Sequence, residues 1–125
     1  MRVWMVGAEM APFSKVGGLG DVLGALPAAL SRLGCDVTVI IPHLPTMNAG
    51  RWGIRATDVK VSANVDGALE VAQILEARAA GDVRVLFVHH PSYFHREGLY
   101  GTAAGDFPDS IPQVSLVLFC SRVLL

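Results

Sequence analysis

The sequence predicts an α/β fold, a parallel sheet carrying one inserted β-hairpin. Two apolar runs, Arg2 to Ala8 and Asp36 to Ile41, flank a segment of helical periodicity. Strand, helix and strand in succession make a βαβ unit, which demands parallel strands and a right-handed crossover. A third apolar run, Val83 to Val88, follows an alternating stretch and an Asp-Gly turn, the signature of a hairpin.

Arg2 to Ala8 is continuously apolar and rich in Val and Met, as expected of a strand buried on both faces. The helix is expected over about residues 21 to 33, with Val22, Leu23, Leu26, Leu30 and Leu33 on one stripe and Gly34 as its stop. Pro27 interrupts that stripe. Either the helix kinks there, or its regular part begins near Leu26 with Pro27 in the first turn. Asp36 to Ile41 is the second strand, closed by Pro42 and Pro45, and Asn48 to Thr57 reads as a loop. Val59 to Val65 alternates before Asp66-Gly67. Ala68 to Ala80 has the composition of a helix, but the Asp-Gly turn favours a returning strand. Gly81-Asp82 turns into the strand Val83 to Val88, and a helix is expected over 111–125 after Pro112.

The richest segment runs from Glu9 to Val22, where Lys15, Gly17, Gly18 and Gly20 lie between the first strand and the helix. Glycine admits positive φ and close approach of a ligand, and a helix start offers N–H groups and a positive dipole end to an anion. Lys15 adds a full charge. The chemistry suits a phosphate or an oxygen-rich sugar, although the spacing equally fits a tight turn with an exposed lysine. Two familiar phosphate loops fail. A Walker loop places its lysine after the last glycine, whereas Lys15 precedes them. A dinucleotide loop needs Gly-x-Gly-x-x-Gly and an acid ending the second strand, but Gly24 falls one residue late and the strand ends Ile41-Pro42-His43.

The 125 residues are 52% apolar with a formal charge of −1. That length suits one domain burying roughly two thirds of its unfolded surface. The charge leaves no footprint for nucleic acid or an anionic membrane. The first apolar run is too short for a signal-peptide core, and none reaches the ~18 residues of a spanning helix, so a cytoplasmic location is expected. Cys35 and Cys120 lack paired spacing and read as buried thiols. His89 and His90 close a strand before Pro91. Adjacent strand residues face opposite ways, so one is expected inside and one in solvent, and no metal is expected.

Lys15-Val16-Gly17-Gly18-Leu19-Gly20-Asp21-Val22 resembles the Lys-x-Gly-Gly-Leu-x-Asp-Val signature of bacterial glycogen synthases and plant starch synthases. Met5 to Phe13 resembles the family's first strand and its Glu-x-x-Pro, and Tyr93 to Gly101 resembles its Phe-x-Arg-x-Gly-x-Tyr-Gly segment. The resemblance implies a Rossmann-like sheet that is part of the N-terminal, acceptor-side domain of a two-domain GT-B glycosyltransferase. Residues 1–125 are expected to be an incomplete copy of that domain, inactive alone, with the absent C-terminal nucleotide-binding domain as its natural partner surface. The implied reaction is retaining transfer of glucose from ADP-glucose to the non-reducing end of an α-1,4-glucan, with no cofactor. No residue is assigned a catalytic role. For substrate binding the resemblance implies Lys15 and the N–H groups of Gly17 and Gly18 at the diphosphate. Asp21 is expected either at sugar hydroxyls or as a helix N-cap. Glu9 orients the loop, meets sugar or is solvated, and Tyr100 meets an acceptor glucose or anchors its loop. His89 or His90, with His90 preferred, lines the cleft. Two alternatives stay open: a non-catalytic glucan- or partner-binding remnant, and another nucleotide-sugar GT-B enzyme.

Overall fold

The computed structural model describes residues 1–94, 101–102, 105–106, 119–120 and 122. Five strands form one sheet: β1 (Arg2–Val6), β2 (Asp36–Pro42), β3 (Arg55–Val65), β4 (Ala68–Ala79) and β5 (Val83–His89). Their order is β1-β2-β5-β4-β3, with β1, β2 and β5 parallel and β3 and β4 antiparallel. Helices among the described residues include α1 (Gly18–Arg32), α2 (Ala49–Trp52) and α3 (Pro91–Phe94), and a short antiparallel pair joins β6 (Gly101–Thr102) to β7 (Gly105–Asp106). This mixed sheet with helices is the expected α/β architecture with its inserted hairpin.

The core lies on the two central parallel strands. Val39, Ile40 and Ile41 of β2 and Val85, Phe87 and Val88 of β5 are fully buried, so these strands are covered on both faces. β1 differs from expectation. Among the described residues β2 is its one neighbour, and Val3, Trp4 and Met5 are only partly buried.

The helix α1 begins at Gly18, earlier than its apolar stripe suggests, and runs without interruption through Pro27. Its sheet-facing side is Gly20, Leu23, Pro27 and Ala28, whereas Val22, Leu26 and Leu33 are exposed. Small residues occupy this interface, which lets the helix come close. A Cβ on Gly24 would stand 3.0 Å from the Ala11 carbonyl oxygen, and one on Gly7 would overlap Leu23. The helix ends in a Schellman arrangement: the Cys35 N–H donates to the Leu30 carbonyl and the Gly34 N–H to that of Ser31. Gly34 takes φ +92°, so Gly34→Ala is expected to cost about 1–2 kcal/mol, read as a lower denaturation midpoint.

The hairpin is real, and longer than the alternation showed. Asp66 (φ 52°) and Gly67 (φ 82°) are both left-handed, the pairing that matches the strand twist. The helix-like composition of β4 is overridden by pairing on both sides, to β3 and to β5. The expected loop over 48–57 instead contains α2, capped by the Asn48 side chain, and the start of β3. On the outer strand the register shifts between Ala56 and Lys60, where Thr57 Oγ1 donates to the Ile74 carbonyl at 2.6 Å. Such a bulge, with Arg55, Asp58 and Lys60 exposed around it, discourages pairing with another edge. Residues 73–79 of β4 pair with β5, while 68–72 pair with β3 alone, so the hairpin tip overhangs the carboxyl end of β5.

Both cysteines are free. Cys120 is buried, and burial pushes its thiol up to about 12 from 9.0, while Cys35 is half-buried. A disulfide reagent at mildly alkaline pH is expected to label Cys35 in the native chain and Cys120 only on unfolding; equal rates would contradict this placement. Because the unfolded chain releases that proton first, stability is expected to fall as pH rises from 9 towards 12. Phe119, Cys120 and Arg122 are helical; the rest of the helix expected over 111–125 lies outside the described residues.

Candidate functional site

In open parallel sheets the chain leaves each strand's carboxyl end through a loop, and these loops converge where ligands bind. Here β1 leads to the glycine loop, β2 to His43 and β5 to His90. The hairpin tip reaches the same edge from β4.

Glu9 organises the loop. Its side chain is 1% exposed. Oε2 accepts from the Val16 N–H at 2.7 Å, and Oε1 accepts from Gly20 at 2.8 Å and Gly17 at 3.2 Å. Gly17 is the N-cap of α1 and has no side chain with which to cap it. The loop is closed further by Ala11 N–H to the Gly20 carbonyl at 3.0 Å and Ser14 N–H to that of Met10 at 2.9 Å. Beneath it, Phe13 packs edge-on against Phe87 at 5.2 Å and Trp52 at 5.8 Å.

The loop glycines serve through room. None of Gly17, Gly18 and Gly20 has positive φ. A Cβ on Gly20 would stand 3.1–3.3 Å from Lys15, so Gly20 lets the lysine backbone lie against the helix. Gly17 and Gly18 have open space where a Cβ would be, and a ligand can approach the backbone there. Lys15 Nζ lies 3.1 Å from Asp21 Oδ1, with both side chains more than half exposed. Such a pair holds by roughly 0–1 kcal/mol, so an incoming anion can displace the carboxylate. Asp21 is in the first turn of α1 and does not cap it.

The histidines form a second group. His90 is 7% exposed, with Nε2 3.0 Å from Glu70 Oε2, and stacks on Tyr93 at 4.1 Å and Phe119 at 5.7 Å. Burial, then the Glu70 charge, raises the Tyr93 phenol above its ordinary value. His89 is half-buried, not solvated, with Nδ1 3.1 Å from Nδ1 of His43. Among the described residues no cluster of three or more side chains suits a metal ion. The described contacts therefore tie Glu9 to Val16, Gly17 and Gly20, Lys15 to Asp21, and His90 to Glu70. Tyr100 lies outside the described residues. Sequence reasoning passed over Glu70 and His43. Glu70, three residues past the Asp-Gly turn, was reachable only by seeing that the hairpin overhangs β5.

A mixed sheet whose parallel strands carry a lysine-bearing glycine loop at their carboxyl ends places the chain among the α/β proteins. The family model for the starch synthase catalytic domain matches residues 2–125, and the chain belongs to that family. Glycogen synthase from Geotalea uraniireducens is 39% identical over 124 residues, covering 99% of this chain and 25% of its own length. Glycogen synthase 2 from Geobacter sulfurreducens is 40% identical over the same span and shares. The solved catalytic domain of starch synthase IV from Arabidopsis thaliana, bound to ADP and acarbose, superposes with a TM-score of 0.73 at 34% identity, covering 97% of this chain and 24% of that one. The fold is thus that of part of a starch synthase catalytic domain. The chain spans about a quarter of the length of the curated relatives it matches. Among the described residues no helix is long and apolar enough to cross a membrane.

Proposed function

We propose that residues 1–125 are part of the acceptor-side domain of a cytoplasmic, retaining GT-B glucosyltransferase that moves glucose from ADP-glucose to the non-reducing end of an α-1,4-glucan. The observation that carries the reading is Lys15, held on a closed glycine loop at the carboxyl edge of a starch synthase sheet and, among the described residues, paired with an exposed carboxylate. The ADP and acarbose of the starch synthase IV structure support a nucleotide diphosphate and an oligosaccharide as ligands.

The chemical demand is charge. As the glycosidic bond breaks, negative charge gathers on the departing diphosphate and the sugar becomes oxocarbenium-like. A cation already in place stabilises that charge without reorganising at the moment of reaction. Lys15 supplies it, and Gly18, at the first position of α1 with open space beside it, lets phosphate or sugar oxygens reach the backbone. Asp21, displaced from Lys15, is free to accept from a sugar hydroxyl. His90, with Glu70, and Tyr100 are assigned to the acceptor side.

The test supplies the complete enzyme with labelled ADP-glucose and a maltooligosaccharide. α-1,4-extended glucan from ADP-glucose, with little from UDP-glucose, is expected. Extension from neither donor would overturn the reading. The 125-residue chain alone is expected to give no product, because most donor contacts belong to the second domain.

A further inference from the structure

A loop of glycines at a helix N-terminus invites the assumption that its amides wait for a phosphate. Here they are engaged. Three N–H groups, from Val16, Gly17 and Gly20, converge on the two oxygens of Glu9 at 2.7–3.2 Å, and the carboxyl group is sealed from water. Among the described residues three donors and no acceptor converge on it, the surroundings that suit a carboxylate, which only accepts. The usual cap of such a helix is a side-chain oxygen on the N-cap residue itself, bonded to the third helical N–H. That residue is Gly17, and the third N–H, that of Gly20, goes to Glu9 instead.

We infer that Glu9 is a built-in anion, a positioning residue that fills the amide nest at the head of α1 and so fixes Lys15, six residues on, in the posture that meets an external anion. Glu9 does not touch substrate, and the donor diphosphate is met by the lysine rather than by the amides of Val16, Gly17 and Gly20. The statement about the diphosphate rests on the glucosyltransferase reading; the occupation of the nest does not. Gly20 belongs to the same device. It presents its N–H to Glu9 and, lacking a Cβ, makes the room in which Lys15 lies.

Backbone amide NMR on this chain tests the nest without recourse to activity, so its outcome is separable from that of the transferase assay. In the unmodified chain, inorganic phosphate or formate is expected to leave the amides of Val16, Gly17 and Gly20 unmoved. In Glu9→Ala the nest is vacant, and formate is expected to shift those three amides saturably. A purely structural loss would give no such rescue. Should Glu9→Ala fail to fold, the isosteric Glu9→Gln keeps the shape and removes the charge, and hydrogen exchange at the three amides is expected to quicken about tenfold. Phosphate shifting these amides in the unmodified chain would overturn the inference. So would a folded Glu9→Ala indifferent to formate, or exchange in Glu9→Gln equal to that of the unmodified chain.

Discussion

Lys15→Ala in the complete enzyme is expected to lower turnover about a hundred- to a thousandfold while leaving the thermal midpoint unchanged. The magnitude is that of removing one preorganised donor from a developing oxyanion. The unchanged midpoint follows from exposure. Lys15 is half in solvent, and its one described ion pair, to Asp21, is a surface pair of small worth. The loss is expected mainly in kcat, since charge on the diphosphate grows towards the transition state. Lys15→Arg is expected to recover only part of it, because a broad, planar guanidinium does not reproduce the compact point charge of an ammonium. Steady-state kinetics on both variants, with melting curves alongside, check this; unaltered kinetics in Lys15→Ala would remove the lysine from the diphosphate.

Phe87→Ala is expected to destabilise the chain by about 3–5 kcal/mol, the usual cost of deleting a buried aromatic side chain. Phe87 is fully buried at the centre of the sheet, edge-on to Phe13 at 5.2 Å and to His43 at 6.2 Å. It therefore joins three things: the core, the underside of the glycine loop and the loop after β2. Phe13→Ala removes the same contact from the loop side, where edge-to-face pairing contributes only about 0.5–1.5 kcal/mol beyond area. It is expected to cost less than Phe87→Ala and to loosen the glycine loop more. Denaturant midpoints for the two variants give the first comparison, and amide exchange at Val16 and Gly20 gives the second. Equal midpoints would show that Phe87 is not central to the packing.

Much of the fold was legible because the parallel strands are apolar in the pattern that two-sided burial requires, and because Asp66-Gly67 needs two left-handed residues and supplies them. What was not legible depended on neighbours. β1 has the same apolar character as β2, yet among the described residues it has a strand on one side only, and no periodicity within seven residues announces that. Pro27 marked a break by local rules, but α1 continues because packing against the sheet outweighs one missing backbone hydrogen bond. Leu26 and Val22 counted towards an apolar face and lie outside, since the close helix–sheet contact is made by Gly20, Leu23, Pro27 and Ala28 instead.

The site was legible as a composition and not as a wiring. Lys15, the glycines, Asp21 and Glu9 stood out together, and the pairing of Lys15 with Asp21 is within reach of sequence spacing. The turning of Glu9 onto three amides is not, because it links residues seven to eleven positions apart through a loop of no regular period. Glu70 with His90 and His43 with His89 are joined only by strand order.

The most direct test of the central claim is a structure of the complete enzyme with ADP and an oligosaccharide acceptor bound. Lys15 Nζ is expected to have left Asp21 and to lie within hydrogen-bond distance of a phosphate oxygen, with Glu9 still holding Val16, Gly17 and Gly20. Lys15 still paired with Asp21 while the diphosphate sits elsewhere would contradict the account.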